Sequence, residues 1–144
     1  MIFRSSHFLL LPLFLLLIFY GCADSIVTEC YIEEPDLNDL TSFSKIQERV
    51  FNQSCALAGC HAGSAIQANL NLESGQAYKN LVNVNSLLNP EFLRVQRGNS
   101  GESFLIKMLR NTGESTSQMP PSGKLPDSII DSIAVWIDNG ALNN

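Results

Sequence analysis

The chain has little of what nucleic-acid binders and most enzymes are built from. Only 16% of its 144 residues are charged, and nine basic residues face fourteen acidic ones. No cluster of Lys and Arg occurs, and the net charge is −5. Phosphate backbones are held by clustered cations, so nucleic acid is excluded as a partner. Histidine is scarce, with only His7 and His61. No nucleophile–base pair or carboxylate cluster stands out, so no independent catalytic apparatus is expected. The alternation that marks a half-buried strand is missing throughout, and no internal repeat occurs.

One long apolar run is present, at the N-terminus. Arg4 precedes LLLPLFLLLIFY, and Gly21-Cys22 follows. A positive start, a short apolar core and a small residue before a break outline a secretory leader. The run is shorter than the roughly 20 residues of a membrane span, and Pro12 interrupts it. Phe19-Tyr20-Gly21-Cys22 resembles the lipobox of bacterial lipoproteins, in which cleavage exposes a cysteine that is then lipidated. That resemblance implies a leader over 1–21, a lipid on Cys22, and an exported protein anchored to a membrane of the bacterial cell envelope. Removing 1–21 takes away Arg4 and no acidic residue, so the net charge moves to −6. Export places Cys30, Cys55 and Cys60 where unused thiols oxidise.

Residues 22–39 are polar and acidic, contain Pro35 and lack helical periodicity, which predicts a tether. The folded domain is expected over 40–144. Phe43, Ile46, Val50 and Phe51 fall at helical spacing, with Thr41 or Ser42 as N-cap and an end near Asn52-Gln53. A small, Gly-punctuated loop follows, then a short helix over AYKNLV. ESFLIKMLRN carries Phe104, Leu105, Met108 and Leu109 on one face, which places Met108 in the core. The last helix has Ile129, Ile130, Ile133, Trp136 and Ile137 on one stripe, Asp127 in its first turn and Gly140 at C′. Trp136 is expected to pack against the Phe43–Phe51 helix. Arg94, Arg97, Lys107 and Arg110 read as a solvated face. The fold class is all-α, and about 100 residues in a few short helices make a thin core without a large buried cofactor.

The chemistry concentrates in C-A-L-A-G-C-H, Cys55 to His61. Cysteine thiols add across the vinyl groups of haem, and a histidine directly after the second cysteine is held under the iron. The spacer here has four residues, two more than in the usual C-x-x-C-H. On spacing alone the motif also suits a Cys55–Cys60 disulfide beside an ordinary histidine, or half a zinc site. Zinc needs four ligands, and His7 in the leader and Cys30 in the tether leave such a site one short.

The surroundings of the motif resemble a known family. From about Ile46 to Ala141 the chain is similar to the short monohaem c-type cytochrome domains of bacterial envelope proteins. The matching stretches are SCALAGCHAG after a helix ending in VF, then LNLESGQAYKNLVNV, RVQRGNSGESFLIKML and QMPPSGKLPDSIIDSIAVWIDNGALN. The resemblance implies a cytochrome c-like helical domain around one haem c. Cys55 and Cys60 would attach it, with His61 and Met119 as iron ligands. Pro120 and Pro121 fix φ and hold the Met119 loop open. Tyr78 and Arg94 are candidate partners for the haem carboxylates. The implied function is electron transfer with a redox partner protein rather than catalysis. The rivals are a haem-free binding module with a Cys55–Cys60 disulfide, and a haem enzyme or gas sensor with an open distal side. The export reading predicts that the wild type incorporates palmitate and partitions with membranes, and that Cys22→Ser abolishes the label.

Overall fold

A computed structural model describes residues 40–114 and 117–144. The expected leader (1–21), Cys22, the tether (22–39) and Cys30 lie outside the described residues. Ser42 opens the first helix, with its backbone extended and its Oγ accepting the Lys45 N–H at 3.4 Å. A serine there satisfies one of the N–H groups that every helix start leaves over. Helix α1 (Phe43–Ile46) passes without a break into a π-helical stretch, Gln47–Cys55. Such i+5 bonding is rare and usually confined to a single turn. Its last bond, Ala56 N–H to the Phe51 carbonyl at 2.7 Å, carries the helix through Cys55. The helix therefore ends later than its apolar spacing predicts, because that spacing stops at Phe51 while the backbone bonds continue.

A loop with one 3-10 turn (Gln67–Asn69) leads to α2 (Ala77–Leu81), α3 (Phe104–Arg110) and α4 (Asp127–Asp138). The described residues are helical and contain no strand, only isolated bridges such as Val82 with Val95. None of the described helices is long and apolar enough to cross a membrane.

The core forms where α1 and its π-helical continuation meet α4. Phe43, Ile46, Val50 and Phe51 are buried, as are Ile130, Ile133, Trp136 and Ile137. The Phe43 ring lies 5.4 Å from that of Trp136, the packing expected for this tryptophan. Gly140, at φ +97°, ends α4 in the left-handed conformation that glycine adopts without steric cost. Asn144 then caps α1: its carbonyl accepts the Ser44 N–H at 2.8 Å and its Oδ1 the Phe43 N–H at 3.0 Å.

Helix α3 packs against α4, but it is apolar on two sides. Ile106 and Leu109 belong to the core, whereas Phe104 and Met108, also buried, do not. Met108 faces a cavity instead, which corrects its expected place in the core. A helical period says that a face is buried without saying against what.

Ile133 is fully buried, so Ile133→Ala should cost about 2–5 kcal/mol of stability. The loss is read as a lower urea midpoint, with the exposed Val135→Ala within about 0.5 kcal/mol of wild type.

Candidate functional site

Residues 55–72 fold into a loop whose two ends are tied together. Leu57 to Cys60 form a β-turn, with Cys60 N–H donating to the Leu57 carbonyl at 2.9 Å and Gly59 at φ +80°. Positive φ at the third residue is what a type II turn requires, and glycine supplies it. The turn pushes Leu57 into solvent and brings the chain back on itself, so that His61 N–H reaches the Cys55 carbonyl at 3.2 Å. The long spacer is thus taken up in an outward turn while its two ends stay together. Further on, the His61 carbonyl accepts the Leu72 N–H at 2.8 Å.

The His61 ring is fixed from the same loop. Its Nδ1 lies 3.0 Å from the Leu70 carbonyl oxygen. A carbonyl only accepts, so Nδ1 carries the proton and Nε2 keeps its lone pair. Burial holds the His61 pKa below its ordinary 6.5; the Leu70 and Gln67 carbonyls oppose that shift, and the positive Arg94 adds to it. The imidazole is therefore neutral at pH 7. Cys55 and Cys60 are both free thiols. Burial, aided by Cys60, pushes the Cys55 thiol up to about 11.

These groups open on a cavity of about 300 Å³. Cys55, Cys60 and His61 line it, and so do Met119, Pro120 and Pro121 from the segment before α4. Residues 58 positions apart along the chain, His61 and Met119, thus share one cavity. Seven leucines make up the largest share of the remaining wall, together with Phe104 and Met108 from α3. Among the described residues, no carboxylate, lysine or tyrosine lines it. Among the described residues no three His, Cys, Asp or Glu side chains converge on one point. The Cys55, Cys60 and His61 donors are therefore not arranged as ligands of a single bare ion.

Several expectations change here. Arg94 is buried, 7% exposed, and lines the cavity, so it is not part of a solvated face. Arg97 and Arg110 are exposed as expected, Arg97 stacking over and donating to Tyr78 and Arg110 pairing with Asp131, while half-buried Lys107 pairs with Glu114. Tyr78 does not reach the cavity; its hydroxyl donates to the Ala141 carbonyl at 2.8 Å. Sequence reasoning missed Leu105 and Met108 as cavity residues. The surplus of apolar positions on α3, more than one helix face needs, is the signal that marks them. Compared with protein-family models, curated proteins and solved structures, the chain matches none.

The half-buried Cys55 thiol, with its raised pKa, sets a chemical expectation. Iodoacetamide labelling of Cys55 in the reduced protein without a bound cofactor should keep rising about tenfold per pH unit toward about pH 11, where an ordinary thiol levels off near 9. Mass spectrometry of the Cys55 peptide across that range gives the profile.

Proposed function

We propose that the cavity holds one haem c and that the domain transfers electrons. Cys55 and Cys60 would carry the two thioether links, with His61 and Met119 as axial ligands. One observation carries the reading: both cysteines, the histidine and the distant methionine line the same apolar cavity. Haem supplies the one-electron couple between ferric and ferrous iron.

The chain's own residues fit that group in chemical type. The Leu70 carbonyl commits His61 to the tautomer with a free Nε2 lone pair, which is the form that ligates a metal. The leucine-rich wall suits an apolar macrocycle and keeps water away. Pro120 and Pro121 line the cavity beside Met119, so the loop that presents the thioether is held against the site. A neutral, soft thioether donor opposite histidine favours the reduced state and raises the potential. A Cys–His hydrolytic site is disfavoured. Its nucleophile needs a lowered thiol pKa, and Cys55 is shifted the other way.

Met108 is the second thioether in the cavity and therefore the competing distal donor. Met119 is preferred for its place in Gln118-Met119-Pro120-Pro121, off any helical stripe and just before α4, whereas Met108 lies within α3.

Expressed in a host that attaches haem, the denatured protein should keep its haem through acid–acetone extraction, and joint replacement of Cys55 and Cys60 by Ser should release it. A Cys55–Cys60 disulfide with no added mass would overturn the reading in favour of a haem-free module.

The distal assignment has its own test. Met119→Ala should abolish the weak long-wavelength band of an iron–thioether bond, admit carbon monoxide to the ferrous protein and lower the potential. Carbon monoxide binding by the wild type would instead indicate an open distal side. The same losses in Met108→Ala, with Met119→Ala unchanged, would move the ligand to α3.

A further inference from the structure

Arg94 is the one buried cation among the described residues, and its position is unusually well fixed. Its backbone is pinned on both sides: Arg94 N–H donates to the Val84 carbonyl at 2.7 Å, and the Arg94 carbonyl accepts the Leu105 N–H at 2.9 Å. From this rigid base the guanidinium donates to three backbone carbonyls, those of Asn80 at 2.8 Å, Ala68 at 2.9 Å and Asn69 at 3.3 Å. Among the described residues no carboxylate pairs with it. A desolvated cation held only by carbonyls is costly unless the geometry it enforces is needed.

The carbonyls it grips identify that geometry. Ala68 and Asn69 both adopt left-handed backbone, at φ +50° and φ +49°. Two consecutive residues with a Cβ in that region are strained, and they persist only where their surroundings hold them. The residue directly after them is Leu70, whose carbonyl fixes the His61 ring. Leu70 N–H is also tied back to the Gln67 carbonyl at 3.0 Å, so the 67–70 turn moves as a unit.

We infer that Arg94 is a positioning residue for His61: its guanidinium holds the left-handed Ala68–Asn69 pair, and thereby aims the Leu70 carbonyl at the Nδ1 proton. Arginine suits this role because its planar fork spans several carbonyls in fixed directions, which a lysine ammonium on a flexible stem does not. The hydrogen bond to Nδ1 also makes the imidazole a better electron donor through Nε2. The inference deepens the haem reading, and only its redox arm rests on that reading.

The test uses Arg94→Lys, which keeps the charge and loses the fork, and Arg94→Gln, which loses both. Nitrogen and proton NMR of the His61 ring follows the Nδ1 proton in protein purified with and without attached haem. In Arg94→Lys this proton should exchange with solvent about tenfold faster, the change expected for losing the net worth of one hydrogen bond. Where haem is attached, the potential should rise in Arg94→Lys, because the loosened imidazole donates less to the iron. Adding Ala68→Gly and Asn69→Gly, which removes the left-handed strain, should restore the slow exchange, and should restore folding if Arg94→Lys alone fails to fold. Wild-type exchange in Arg94→Lys, an effect confined to Arg94→Gln, or no rescue by the glycines would each overturn the clamp. Absence of haem from the wild type overturns the proposed function instead, and leaves the proton-exchange arm readable.

Discussion

The interior of this domain is divided, and that division governs the rest. Apolar residues from α1, its π-helical continuation and α4 close on one another around Phe43 and Trp136. A second apolar set, led by Phe104 and Met108, turns away from that core toward a cavity of about 300 Å³. Helix α3 is the partition: Ile106 faces the core, Met108 faces the cavity, and Leu105 and Leu109 touch both.

The same burial that shapes the cavity sets its chemistry. Desolvation disfavours charge on Cys55, His61 and Arg94 at its wall. It raises the Cys55 thiol, lowers the His61 imidazole and lowers Arg94 from its ordinary value. Two thiols, a neutral imidazole and thioethers form a set of soft or borderline donors with no anionic oxygen among them. This set suits binding through sulfur and nitrogen. His61 has a lowered pKa, so without a ligand it favours the folded state above pH 6.5, and that contribution is lost as pH falls through the lowered value.

Much of the site was legible because its chemistry is local in sequence. Cys55, Cys60 and His61 lie within seven residues, and the Met119-Pro120-Pro121 segment breaks all helical pattern before α4. The helix stripes also named most of the core, since a period of 3.6 reports a buried face directly. Other features left no comparable trace. Arg94 looks like any surface cation in sequence, and its burial follows from carbonyls contributed by residues 14 to 26 positions away. Met108 was misplaced because periodicity cannot separate a core wall from a cavity wall. The π-helical bonding through Cys55 is a backbone choice that composition does not encode.

The turn and the half-buried thiol together bear on when Cys55 can react. With its pKa near 11, folded Cys55 is a thiolate in only about one molecule in ten thousand at pH 7. A bond that depends on this sulfur as nucleophile is therefore made slowly in the finished domain and readily in the extended chain. Cys60 sits at the end of a turn and Cys55 at the end of a helix, so both become fixed only as the backbone closes. Any modification that needs the Cys55 thiolate is therefore favoured before the backbone closes around it.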